Sequence, residues 1–215
     1  MVFFKTKEFE FEARRVMWYC PKGGSDFAEV ENICQQIKDG NYESWYHGWK
    51  NGAEKLLKHT QRYSSKISQG HAFLRASRYF QASEFFLSPL DKRKIDVYQL
   101  SVQYFYEGLK MLEIPYRLEN IPYEGTSLRS IYFAHKTKTC KGTLFICGGF
   151  DALLEELYFT NVVAGIEQGY DVIIFEGPGQ SSVLREHHLP FIPNWEKVCQ
   201  AIINYYENQV SQLQK

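Results

Sequence analysis

Residues 142–180, GTLFICGGFDALLEELYFTNVVAGIEQGYDVIIFEGPGQ, limit what this chain can fold into more tightly than any other stretch. At 143–147 and 172–175 stand short, nearly unbroken apolar runs rich in β-branched and aromatic residues, the pattern of parallel strands covered on both faces. Between them Leu153, Leu154, Leu157, Tyr158, Val162 and Gly165 form one stripe at helical spacing. Gly169 stands where a helix closes on a left-handed residue. The segment predicts a βαβ unit.

Each predicted strand runs into glycines, Gly148-Gly149 after the first and Gly177-Pro178-Gly179 after the second. In open α/β sheets ligands bind beyond the carboxyl ends of strands, so the two turns are expected to line one crevice. A Gly-Gly turn lets the N–H groups of Gly149, Phe150 and Asp151 point at a developing anion, with Gly148 beside them. Glycine turns also follow strands in many α/β folds for tight turning alone, so both readings stand at this point. Nucleotide binding ranks last. Neither a Walker lysine after the final glycine nor a GxGxxG straight after the first strand is present in Cys147-Gly-Gly-Phe-Asp-Ala or in Gly177-Pro-Gly-Gln-Ser-Ser.

Three blocks carry a family resemblance: IPYEGTSLRSIYF (121–133), FICGGFDALLEELYF (145–159) and FEGPGQSSVLREHHLPFIPNWEKV (175–198). In order and spacing they resemble α/β-hydrolases with an N-terminal helical cap. That group includes enzymes labelled dipeptidyl aminopeptidase or acylaminoacyl-peptidase-like, fermentation-respiration switch proteins, pseudooxynicotine-type carbon-carbon hydrolases and fungal polyketide-shortening hydrolases. The resemblance implies a serine hydrolase acting on an ester, amide or carbon-carbon bond next to a carbonyl in a small acyl or carbonyl substrate. Gly149 and Phe150 would supply an N–H of the oxyanion hole, together with the residue after the nucleophile.

The chain of 215 residues is long enough for a real core, and its 44% hydrophobic and 16% aromatic content argues against disorder. Charges balance, 25 basic against 25 acidic, and no basic cluster exceeds three residues, so neither nucleic acid nor an anionic membrane is an expected partner. Cys20, Cys34, Cys140, Cys147 and Cys199 are odd in number and never spaced as CxxC. With charge rather than an apolar run after the N-terminal residues, they read as reduced thiols of a cytoplasmic protein, Cys147 lying in the core. The six histidines show no metal-ligand spacing, and neither metal nor cofactor is expected.

In chain order, 1–24 is expected to be an N-terminal arm, either a short strand or a segment lying on the body. From 25 to 113 the pattern is helical, with Ser25 or Asp26 capping the first helix, Gln69-Gly70 and residues 88–91 as connections, and Asp91 capping the last. Trp45 and Trp49 share one stripe. As bundle residues they are expected in the core, with a substrate-pocket wall as the alternative. From 114 to 215 the reading is the N-terminal half of an α/β-hydrolase core: two antiparallel strands joined at Glu124-Gly125, a loop at 136–141, the βαβ unit, a loop at 180–193, and a helix with Trp195, Val198, Ile202, Tyr206 and Val210 on one stripe. The fold expected is thus an incomplete α/β-hydrolase sheet preceded by an all-helical cap.

In the α/β-hydrolase order the nucleophile arrives on the next strand in a GxSxG elbow, and acid and histidine follow. No GxSxG occurs here: GTSLR (125–129) and GQSSV (179–183) both lack the final glycine. Ser181 or Ser182 with His187 or His188 and Glu186 is a poor triad, because one loop does not hold such bonds near 3 Å. Arg185 either holds a substrate carboxylate or makes a surface ion pair. Two expectations follow: a hydrolase whose nucleophile is outside this sequence, or a non-catalytic assembly module whose first parallel strand pairs with a homodimer partner or a complementing chain.

Overall fold

A computed structural model describes residues 2–136 and 139–213, with side chains described to residue 208. The chain divides into two compact units, Met1–Ile114 and Pro115–Lys215.

The first unit is all helical: α1 (Lys7–Met17), α2 (Phe27–Cys34), α3 (Tyr42–Thr60), α4 (Lys66–Glu84) and α5 (Lys92–Met111). The segment expected to be a strand or surface arm is α1, and it belongs to the core. Phe9, Glu12, Ala13 and Val16 recur at helical spacing and are buried, and Phe9, Ala13 and Val16 join Trp45, Trp49 and Tyr79 in one cluster. Upstream of α1, the Glu10 carboxylate accepts the N–H groups of Phe3 at 2.8 Å and Phe4 at 3.0 Å, which ties the N-terminal residues to the helix.

Caps follow the expected chemistry: the side chains of Asp26, Asn41, Ser65 and Asp91 each accept a backbone N–H of the turn they open. Gln69-Gly70 is not a connection. The chain turns before Ser65, and Gly70 lies inside α4, where a Cβ would stand 2.7 Å from Leu112 Cγ. On α5, a Cβ at Gly108 would lie 2.7 Å from Leu74 Cδ2, so the two glycines permit the close approach of α4 and α5.

The second unit is a four-stranded mixed sheet with helices on both faces. Its strands β1 (Arg117–Tyr123), β2 (Thr126–Phe133), β3 (Thr143–Cys147) and β4 (Asp171–Phe175) are ordered β1-β2-β4-β3. β1 and β2 form a hairpin in which Ile121 faces Leu128 and Tyr123 faces Thr126. Its two turn residues, Glu124 (φ 41°) and Gly125 (φ 83°), are both left-handed, the geometry that matches the twist of the strands. β2 pairs antiparallel with β4 and β3 pairs parallel with it, so the predicted βαβ unit is present.

The crossover of that unit winds through turns at 151–157, one wide turn at Tyr158–Val162 and then α6 (Val163–Glu167). Gly165 lets it descend onto the sheet, since a Cβ would be 2.6 Å from Val172. On the opposite face α8 (Trp195–Leu213) lays Val198, Ile202 and Tyr206 against Ile121, Leu128, Ile173 and Phe175. The side chain of Val210, expected on the same stripe, and Thr137-Lys138 of the 136–141 loop lie outside the described residues.

Two expectations about this unit change. β4 is buried as predicted, from Val172 to Phe175, but β3 is an edge with β4 as its neighbour. Leu144 is 36% and Phe145 41% exposed, and Cys147 is exposed rather than core. The segment at 180–193, read as a loop, holds α7 (Ser181–Arg185), and Gln180, Ser181, Ser182 and Val183 are buried.

Candidate active site

The site is built where β3 and β4 end. Gly148 must be a glycine, because a Cβ there would come within 2.3 Å of Ala152 Cβ. Gly149 is different: a Cβ would meet nothing within 4 Å, so the backbone there faces open space. Phe150 beside it is 74% exposed, and Asp151 is exposed at the tip of the turn that Ala152 N closes onto Gly149 O at 3.3 Å.

After β4, Gly179 has φ 85° and sits so close to Phe191 that a Cβ would be 2.6 Å from its Cα. Gln180 N donates to Gly177 O at 3.0 Å, which closes the second turn. The Gln180 side chain, 3% exposed, then spans the two turns. Its Nε2 donates to Gly148 O at 2.6 Å and Gly149 O at 3.0 Å, while its Oε1 accepts Gly177 N–H at 3.2 Å. The glycine turns therefore share one framework. Among the described residues, the N–H groups of Gly149 and Phe150 have no acceptor.

Behind these turns lies a buried charge cluster. Arg129 of β2 reaches Glu176 through Nε at 3.1 Å and Nη2 at 3.3 Å. The same Nη2 stands 3.1 Å from Glu155 Oε1. Glu155, 1% exposed, has Arg129 as its ion-pair partner in that buried setting. Two carboxylates thus share one guanidinium. Burial, with Glu176 nearby, holds the Glu155 carboxyl above the usual range against the pull of Arg129.

The serines are absorbed by this cluster. Ser182 Oγ is hydrogen-bonded to Glu176, and its N–H donates to the same carboxylate at 3.2 Å. Ser181 Oγ accepts Leu154 N–H at 3.3 Å and Arg129 Nη2 at 3.3 Å. Both serines are buried whereas His187 and His188 are exposed, so the local Ser–His arrangement considered from sequence is not assembled. Arg185, weighed as a carboxylate holder, donates through Nη1 to Ser181 O at 3.2 Å.

Trp45 and Trp49 are 0% exposed and packed in the first unit's core, with Trp45 Nε1 donating to Ala82 O at 2.7 Å. That is a packing role rather than a pocket wall. Glu29, Asn32, Gly52, Lys55 and His59 line a cavity of about 310 Å³ within the same unit.

Sequence reasoning missed Gln180, Arg129, Glu155 and Glu176. Glu155 had a faint signal, a charge inside the apolar run DALLEELYF, while Gln180 had none beyond its place after Gly-Pro-Gly. It also missed His135, Cys140 and Asp171, whose donor atoms lie within 4.8 Å of one another at the opposite end of β4. There His135 Nδ1 and Asp171 Oδ1 are hydrogen-bonded to each other at 2.6 Å, and Tyr132 Oη donates to Asp171 Oδ2 at 2.8 Å.

A mixed sheet opened by an antiparallel hairpin, carried on by a βαβ unit and preceded by an all-helical unit is the N-terminal part of an α/β-hydrolase fold. The 2,6-dihydroxy-pseudo-oxynicotine hydrolase structure superposes with a TM-score of 0.69 at 15% identity, covering 87% of this chain and 52% of that one. AbyA5 superposes with a TM-score of 0.62 at 14% identity, over 89% and 50%.

In sequence the chain is 33% identical over 229 residues to hydrolase acrC of Aspergillus aculeatus, covering 97% of this chain and 54% of that protein. It is 33% identical over 217 residues to alpha/beta hydrolase psoB of Aspergillus fumigatus, over 94% and 48%. With 20-hydroxy-prefusarin hydrolase FUS2 of Gibberella moniliformis it shares 30% over 218 residues, covering 97% and 52%. No protein-family model matches. Over the stretch these likenesses cover, the chain is similar in sequence to α/β-hydrolases and shares the fold of neighbours with a helical N-terminal region. It spans about half the length of the relatives it matches. Among the described residues no helix is long and apolar enough to cross a membrane.

Proposed function

We propose that the paired glycine turns form the oxyanion side of a serine-hydrolase site. The reaction is hydrolysis of an ester, amide or carbon-carbon bond next to a carbonyl in a small acyl or carbonyl substrate. The observation that carries this reading is the exposed Gly149–Phe150 backbone at the carboxyl end of β3, whose N–H groups have no acceptor among the described residues. A donor there, acting with the N–H of the residue after the nucleophile, stabilises the negative charge that a carbonyl oxygen develops, and loss of one such donor typically costs about 3 kcal/mol in the transition state. The serine itself comes from outside these 215 residues, which contain no GxSxG.

The test is labelling with a serine-directed fluorophosphonate, read by intact mass, alongside turnover of p-nitrophenyl butyrate. The 215-residue chain alone is expected to give neither adduct nor turnover. Once a segment bearing a GxSxG elbow is supplied, both appear, and Phe150→Pro, which removes one N–H, lowers kcat about 100-fold. A stoichiometric adduct on the chain alone would place a nucleophile within these residues and overturn the reading.

The exposed edge of β3 favours a second reading, a non-catalytic assembly module in which a complementing chain or a second copy pairs with that strand. Leu144 and Phe145 present apolar surface along it. A chain that stays monomeric at high concentration, measured by sedimentation, argues against self-pairing.

A further inference from the structure

We infer that His135, Cys140 and Asp171 form a binding site for a zinc-class divalent cation at the end of the sheet away from the glycine turns. The site shares no residue with those turns. One donor atom from each of the three side chains lies within 4.8 Å of the others. A tetrahedral zinc ion holds nitrogen and oxygen ligands at about 2.0–2.2 Å and a thiolate at about 2.3 Å, which sets its donors roughly 3.3–3.6 Å apart. Donors already this close reach that sphere through side-chain adjustments of about an ångström. His135 Nδ1 and Asp171 Oδ1 are hydrogen-bonded at 2.6 Å, and an ion taking the place of the proton between them opens the pair by roughly 0.7 Å.

The sheet itself brings the ligands together. Phe133 pairs with Val172, which sets His135 just past β2 beside Asp171, and the His135 N–H donates to Asp171 Oδ1 at 2.8 Å. On the other side Lys141 N–H donates to Gly169 O at 2.9 Å and Asp171 N–H to Gly142 O at 3.0 Å, so Cys140 is carried alongside the start of β4. Tyr132 Oη donates to Asp171 Oδ2 at 2.8 Å and fixes the other carboxylate oxygen. Outer partners of this kind orient a metal ligand. The donor set also selects the ion. A thiolate beside an imidazole suits zinc, whereas magnesium and calcium take oxygen ligands, and thiolate plus carboxylate balance two positive charges. On binding, the Cys140 S–H, which donates to Gly142 O at 3.3 Å, releases its proton to solvent, and the imidazole keeps its proton on Nε2. Cys140 is exposed, so water completes the fourth position. The ion would join the end of β2, the approach to β3 and the first residue of β4, and so stabilise the α/β unit.

The experiment is titration of the tag-free, reduced 215-residue chain with cobalt(II), a spectroscopic stand-in for zinc. A thiolate-to-cobalt charge-transfer band is expected to saturate at one equivalent, with the visible bands of tetrahedral cobalt beside it, and one equivalent of zinc is expected to bleach both. Cys140→Ser alters an exposed position and is expected to keep the fold and lose the charge-transfer band, while Cys147→Ser, at the far end of β3, keeps the band. Asp171→Asn is expected to weaken cobalt binding at least tenfold. Where Asp171→Asn does not fold, urea unfolding decides: zinc is expected to raise the midpoint of the wild type and of Cys147→Ser but not that of Cys140→Ser. No charge-transfer band in the wild type, or a band that survives Cys140→Ser, overturns the site and leaves a His135–Asp171 hydrogen bond that only braces the strands. Unchanged affinity in Asp171→Asn overturns the three-residue ligand set, as does a zinc-independent midpoint in the wild type.

Discussion

The two units set their buried charge in different surroundings, packed rings in one and an open backbone turn in the other. In the helical unit Trp45, Trp49, Tyr79 and Phe80 are at most 1% exposed. Several of its ion pairs stand at the surface, such as Arg93 with Glu43 and Lys50 with Glu54. In the α/β unit Phe145 and Phe150 are 41% and 74% exposed while Glu155 and Glu176 are each 1% exposed around Arg129. The bundle, which also buries Glu12, Arg78 and Glu84, draws its stability from rings packed around them. A sheet that buries charge behind an open backbone turn gives up some stability to hold that turn in place.

The largest expected effect breaks the first half of this contrast. Trp45→Ala removes a fully buried ring and one of the two hydrogen bonds to the Ala82 carbonyl, which keeps that from Phe85 N–H, and is expected to cost about 4 kcal/mol in urea unfolding of the helical unit. Next is Arg129→Met, which leaves two buried carboxylates without their guanidinium. A loss of about 3 kcal/mol is expected at neutral pH, confined to the α/β unit, and shrinking in acid as the carboxylates are neutralised. If this substitution costs no more than a surface change, the cluster is not the backing inferred for the turns.

The smallest effect sharpens the contrast by its pH dependence. Glu155 is held above its ordinary carboxyl range by burial, so between the unfolded and folded values the folded protein binds the extra proton and stability falls as pH rises. Glu155→Gln keeps the shape and removes the ionisation. Its stability is therefore expected to match the wild type near pH 4 and to exceed it increasingly above that, read as a difference in urea midpoints. Equal slopes would mean Glu155 ionises without cost.

Much of the architecture was legible because it rests on periodicity. The unbroken apolar runs marked β3 and β4, Glu124-Gly125 marked the hairpin, and Asp26 and Asp91 marked helix starts. Gly70 misled because glycine serves both as a breaker and as a contact surface, and only the neighbour, Leu112, decides which. Residues 1–24 hid α1 because Glu8, Glu10 and Glu12 alternate with Phe9 and Phe11 in a way that reads equally as a strand.

The glycines of the candidate site were visible, since turns write themselves in local sequence. Gln180 and Arg129 were not. Their roles arise from partners 31 and 47 residues away, and no local pattern encodes a side chain's distant acceptor.

The strand order carries a consequence for how the chain assembles. β1 and β2 meet through a two-residue turn and can pair at once, but β3 has no neighbour until β4, which begins 24 residues after β3 ends, inserts between it and β2. On a ribosome adding roughly 5–20 residues per second, that leaves β3 unpaired for a second or more after it is made. Leu144, Phe145 and Ile146 spend that interval as an open strand. The moment of greatest risk of misassociation therefore falls between the emergence of Cys147 from the ribosome and that of Phe175, before the sheet has closed around its central strand.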